Sequence, residues 1–191
     1  YLEFLYRYPH RAFPYEELVQ ENRRRGLLDP EFELADTGVF DDGRFFDVRV
    51  IYAKHSPDDI VMAIDVTNHG PRPETCHVLP TLWFRNTWSW DDGAARPVII
   101  GEPAPAGAAW AVRAHHETLG DYFCYGAQPA ETLFTENETN ARRLWGDADA
   151  QPYVKDAFHR RIVEGDLSAV NPARQGTKVG LWSHWSIDPG Q

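Results

Sequence analysis

The stretch FFDVRVIYAKHSPDDIVMAIDVTN, Phe45–Asn68, decides the fold class. Phe46, Val48, Val50 and Tyr52 alternate with Asp47, Arg49, Ile51 and Ala53, and the same period of two returns over Ile60–Asn68 after a turn at Ser56-Pro57-Asp58-Asp59. Successive side chains of a strand point to opposite faces, so the pattern reads as a β-hairpin. Downstream, Asn68-His69-Gly70-Pro71 breaks the pattern. Further strands are expected at Cys76–Asn86, Pro97–Ile100, Trp110–His116, Tyr122–Tyr125, Thr132–Thr135 and Lys178–Ile187. Short strands joined by Gly, Pro and Asp turns favour a mainly β, antiparallel β-sandwich over βαβ units. Upstream, Pro14, the acidic pair Glu16-Glu17, the basic run Arg23–Arg25 and Gly26 mark the start and stop of one helix. Lys155–Glu164 can form a second, and one or two short peripheral helices are expected in all. Phe32, Leu34, Val39 and Phe40 anchor an irregular strand and turn. The polar run Glu136–Asp149 reads as a surface loop or short helix.

Composition bounds the function. A chain of 191 residues holds one domain with a real core, and 42% hydrophobic with 25% charged residues is an ordinary globular balance. One sandwich domain over residues 1–191, or an incomplete part of one, is the expected organisation. The formal charge of −10 opposes general nucleic-acid binding. Arg23, Arg24 and Arg25 form the tight basic run, but helical neighbours are about 100° apart and the three make no flat patch. No stretch approaches the roughly 18 apolar residues of a membrane span, and YLEFLYRYPH lacks a signal-peptide pattern. Because the chain begins with Tyr1, an upstream segment is expected to have been removed or left out. Cys76 and Cys124 are too few for a disulfide framework. As strand thiols they read as small hydrophobes, which makes a reduced, cytoplasmic setting the default. One disulfide requires their strands to be neighbours.

The densest chemistry lies in CHVLPTLWFRNTWSWDD, Cys76–Asp92. On an ideal strand Leu79, Thr81, Trp83 and Arg85 share one face, and Leu82, Phe84 and Asn86 the other. Pro80 marks an edge or bulge. Trp88, Trp90 and Asp91 follow in a turn. Indole rings stack on the apolar face of a sugar, and Arg, Asn and Asp bond its hydroxyls. Trp83, Arg85, Asn86, Trp88, Trp90 and Asp91 are therefore the candidate carbohydrate contacts. Large aromatics also fill cores and interfaces, and on chemistry alone packing is the stronger reading of most of these rings.

Catalytic signals are absent. Glycoside hydrolysis needs two carboxyl groups facing one bond, roughly 5–5.5 Å or 6.5–9.5 Å apart, whereas the doublets Asp41-Asp42 and Asp91-Asp92 point opposite ways if extended and read as turns. The eight histidines show no metal-ligand spacing, and the rings of His115-His116 face opposite sides of a strand. Calcium-loop, nucleophile-elbow, phosphate-loop and dinucleotide patterns are missing too. No cofactor and no metal are expected. Asn137-Glu138-Thr139 matches a glycosylation acceptor, a pattern short enough to arise by chance.

Four segments carry a family resemblance. YRYPHRAFPYEELVQENRRR (Tyr6–Arg25), ELADTGVFDDGRFFDVRVIYAK (Glu33–Lys54), HVLPTLWFRNTWSW (His77–Trp90) and VNPARQGTK (Val170–Lys178) together resemble bacterial proteins of glycoside hydrolase family 63, the mannosyl-oligosaccharide glucosidase-like group. The resemblance implies a supersandwich-like β region that precedes an (α/α)6 barrel, with the catalytic acid and base in the barrel. It implies that this chain is an inner, non-catalytic part of that N-terminal region, partnered by the helical catalytic domain and, through its tryptophans, by an oligosaccharide. The other readings of the residues are a stand-alone carbohydrate-binding module and a purely structural domain, with no nucleic-acid or membrane partner in either.

Overall fold

A computed structural model describes residues 1–90 and 93–191. They form antiparallel β-structure with three short α-helices, divided into two compact units: Tyr1–Cys76 with Trp185–Gln191, and His77–His184.

In the first unit, β1 (Leu2–Pro9), β2 (Phe45–Ser56) and β3 (Asp59–Asn68) make a three-stranded antiparallel sheet in the order β1-β2-β3. The expected hairpin is present, paired from Phe46↔Asn68 to Lys54↔Ile60, with an irregularity between Lys54 and Ser56 just before the turn at Pro57. Alternation sorts the faces as the sequence predicts. Phe4, Tyr6, Val48, Val50, Ile64 and Val66 line an uncharged face. The other face carries the ion pairs Arg7–Asp47 at 3.1 Å and Arg49–Glu3 at 2.6 Å. The polar break after β3 becomes a buried joint. Asn68 is fully enclosed; its amide Nδ2 donates to Arg72 O and Ile187 O, both at 2.8 Å, and its Oδ1 accepts from Gly70 N at 2.7 Å. Helix α1 (Tyr15–Arg24) begins after Pro14 and ends before Gly26, with acidic and basic turns placed to suit its dipole. The expected irregular strand around Leu34 is instead a 3-10 turn, Leu34–Thr37, stabilised by reciprocal capping between Glu33 and Asp36 and closed by left-handed Gly38. β1 was not legible as a strand, because adjacent apolar residues at Phe4-Leu5 blur its alternation.

The second unit is a sandwich. The single strand expected over Cys76–Asn86 is two, β4 (Glu74–Val78) and β5 (Thr81–Trp83), split at Pro80. β6 (Val98–Glu102), β7 (Trp110–His116), β8 (Gly120–Gly126) and the two-residue β10 (Gln175–Gly176) form one sheet in the order β10-β6-β7-β8. β11 (Lys178–Ile187) pairs with β5 on one side and β9 (Glu131–Thr135) on the other. Ile99, Val112 and Ala114 of the first sheet pack against Phe134, Val179 and Leu181 of the second, with Leu82, Phe84, Trp110 and Cys124 at the margin. Helix α2 (Ala141–Trp145) settles the polar run as partly helical, capped by Asn140 and ended by left-handed Gly146. Helix α3 (Ala157–Val163) lies within the helix expected over Lys155–Glu164. Cys76 and Cys124 are both free thiols, each pushed up by burial.

The chain passes between the sandwich layers at Gly176, where an added Cβ would lie 2.2 Å from the backbone oxygen of Thr135. A main-chain atom cannot rotate away. Gly176→Ala is expected to destabilise the protein by about 3 kcal/mol through overpacking, read as a lowered urea midpoint with unchanged slope.

Candidate functional site

The tryptophan-rich segment leaves the sandwich at the end of β5. Leu82 and Phe84 turn toward the core, while Trp83 lies on the opposite face and is 55% exposed. This is the division the alternation predicts. Phe84 N still bonds Thr177 O at 2.9 Å, after which a tight turn runs through Thr87 N to Arg85 O at 2.8 Å and Trp90 N to Thr87 O at 3.1 Å. The turn folds Arg85 back over Trp90, with its guanidinium carbon 5.0 Å from the ring centroid. Trp90 is 67% exposed. Trp88 is half-buried, and its indole N–H donates to Glu138 Oε1 at 3.1 Å. Asn86 Oδ1 is sealed from solvent and, among the described residues, has no hydrogen-bond partner. Asp91, with its neighbour Asp92, lies outside the described residues.

Behind the turn stands a charged cluster. Arg96 donates to Glu136 Oε2 at 2.8 Å and to Glu138 Oε1 at 2.7 Å, and its guanidinium lies 5.5 Å from the Trp88 centroid. Glu136 Oε2 also accepts from the hydroxyl of Thr177 at 2.7 Å and from its backbone N–H at 3.1 Å. The Thr177 hydroxyl in turn accepts from Asn137 N at 2.8 Å, and the Asn137 amide donates to Phe84 O at 2.8 Å. Asn137 is thus committed to holding the tryptophan segment, which accounts for it without glycosylation. Arg96, Pro97, Val98, Glu136, Gln175, Gly176 and Thr177 line a shallow cavity of about 210 Å³.

The segment Val170–Lys178 shapes the far wall. Asn171 Oδ1 accepts from Ala173 N at 3.0 Å and its amide donates to Gln175 O at 2.7 Å, holding Arg174 at a φ of 53°. Residues distant in sequence are brought together in this way. The candidate contacts Arg85, Asn86, Trp88 and Trp90 share one turn, and Trp83 lies at its strand root.

Sequence reasoning missed Arg96, Glu136, Glu138 and Thr177. A signal existed: Glu136 and Glu138 are two apart, immediately after a buried strand end, so extended geometry sends both the same way. Arg96 fills the space between the two carboxylates that a glycosidic bond would need. The other sequence candidates are turns or pairs. Asp41 closes the turn after Gly38. His115 bonds Asp121 at 2.9 Å while His116 packs on Phe84, confirming that the two rings diverge. Among the described residues no group of three or more His, Cys, Asp or Glu could hold a metal, and no helix is long and apolar enough to cross a membrane.

Removing the Glu136 carboxylate orphans the Thr177 hydroxyl in a residue only 1% exposed. Glu136→Ala is expected to cost about 2 kcal/mol, since a buried donor without a partner loses its solvation uncompensated. Glu136→Gln keeps an acceptor and should lose about half as much; urea denaturation of the two variants measures the difference.

No family model matches the chain, and no solved structure matches it. The whole chain aligns at 32% identity, over 224 positions, with the uncharacterized protein YMR196W of Saccharomyces cerevisiae. The alignment takes up 20% of that protein, so the chain spans about a fifth of the length of the curated relative it matches.

Proposed function

We propose that this chain is the non-catalytic N-terminal β-sandwich part of an α-glucosidase-like glycoside hydrolase resembling family 63, where it supports a helical catalytic barrel and lines one wall of its sugar pocket. The observation that carries the reading is the turn after β5, which presents the open indole of Trp90 with Arg85 across it and the open indole of Trp83 at its root. Solvent-facing indoles beside hydrogen-bonding groups suit the alternating apolar and hydroxylated surfaces of a sugar. The carboxylates beside the turn favour a supporting role rather than a catalytic one. Glu136 and Glu138 are both bound to one guanidinium and leave no gap for a scissile bond. The much greater length of the yeast relative leaves room for a separate catalytic domain. A cytoplasmic location belongs to the same reading.

Trp90→Ala is the informative substitution, because a side chain this open contributes little to packing, whereas Trp88 also holds Glu138. Titration of tryptophan fluorescence with gluco-oligosaccharides should show saturable binding that Trp90→Ala weakens by about tenfold, a loss of about 1.4 kcal/mol. The chain itself should release no glucose from α-glucosides. Turnover that disappears on substitution of Asp41, Asp42, Asp91 or Asp92 would overturn the non-catalytic role. Binding as tight in the 191-residue chain as in the full-length protein would favour a stand-alone carbohydrate-binding module instead.

A further inference from the structure

Two of the three lysines in the chain, Lys155 and Lys178, lie close enough for their charges to repel. Lys178 opens β11 directly opposite Trp83 of β5, so the two side chains are cross-strand neighbours on the outer face of their sheet. The ammonium of Lys178 rests 5.0 Å from the ring centroid of Phe158 on α3. Among the described residues neither lysine has an ion-pair partner. The nearby carboxylates are engaged elsewhere: Glu136 and Glu138 hold Arg96, and Asp156 holds Asn140 and Arg143. Burial first, and the charge of Lys155 second, hold Lys178 below the usual lysine range. In a protein with a formal charge of −10, a half-buried ammonium that feels another ammonium and, among the described residues, pairs with no carboxylate is a local reversal of sign. A bound anion would supply the missing counter-charge.

We propose that Trp83, Lys178 and Lys155 form a binding site for an anionic group, a carboxylate or a phosphate, carried on a sugar ring that stacks on Trp83. This rests on the reading of Trp83 as a sugar contact and adds the charge of the sugar. The ring covers the open indole, and its acidic substituent reaches along the Lys178 side chain to the two ammonium groups. Charge-assisted hydrogen bonds of this kind are the stronger class, and they weaken with salt.

The test follows the Trp83 indole N–H and the Lys178 ε-methylene by NMR in the 191-residue chain, with glucose, glucose 6-phosphate, glucuronate and inorganic phosphate as probes. One or both anionic sugars should bind at least about tenfold more tightly than glucose, and which of them does so distinguishes phosphate from carboxylate. Lys178→Gln should abolish the difference while leaving glucose binding unchanged, Lys178→Arg should restore most of it, and Trp83→Ala should weaken every sugar. Unchanged chemical-shift dispersion in each variant certifies the fold. Equal binding of glucose and both anionic sugars overturns the proposal and leaves the carbohydrate reading standing. Anionic-sugar binding that ignores Trp83→Ala, or that is no tighter than binding of inorganic phosphate, overturns the ring contact, and the absence of any sugar binding overturns both readings.

Discussion

The second unit depends on one close approach, Gly176 against the backbone of Thr135. Gly176 belongs to β10 in one sheet, and two residues later Lys178 opens β11 in the other. The chain therefore changes layers within a step. Only a residue without a side chain can lie so near the Thr135 oxygen. Thr177, caught between the layers, is fully committed: its N–H is shared between Thr135 O and Glu136, its hydroxyl donates to Glu136 and accepts from Asn137, and its carbonyl accepts from Phe84. Burying so many polar atoms costs free energy unless all are paired. The pairing fixes Glu136, Asn137 and Phe84 with respect to one another, and through Phe84 it fixes the root of the tryptophan turn.

Much of the fold was legible because it rests on local period and breakers. The hairpin of β2 and β3, the paired strands β6 to β8 and the long β11 follow from alternation and from Gly, Pro and Asp turns. Pro80 announced a disturbance, and the structure divides a strand there. β1 escaped because Leu5 interrupts the polar face that would have revealed it, although Glu3 and Arg7 on that face meet Arg49 and Asp47 across the sheet. The 3-10 turn at Leu34 depends on side-chain capping by Glu33 and Asp36, a contact that hydrophobic pattern does not encode.

The site was legible in part. Its tryptophans, Arg85 and Asn86 are near in sequence and announce themselves by residue type. Arg96, Glu138 and Thr177 are separated from one another by about 40 residues each way and meet only through the sandwich corner. Charges so far apart carry no mark of their partner, and a Glu in a polar run is ordinarily solvated. The structure converts such a Glu into the acceptor that orients Trp88, which makes this ring the least suitable of the three for judging contact with a ligand.

The choice among basic residues separates structural from receptive charge. Arginine presents a planar fork that two acceptors can share, and here Arg7, Arg49, Arg96 and Arg161 each close a contact between distant segments. Arg96 spans two glutamates in this manner, and Arg161 grips Glu131 by both carboxylate oxygens. Lysine is a compact charge on a flexible stem, poorly matched to such bracing. Yet Lys178 occupies a register position between Trp83 and Thr135, where its amine meets the face of Phe158 rather than an acid. A cation held on an aromatic ring keeps its remaining N–H directions open. Burial and the neighbouring Lys155 make that charge costly to keep, so the arrangement is least strained when an acceptor from outside the chain completes it.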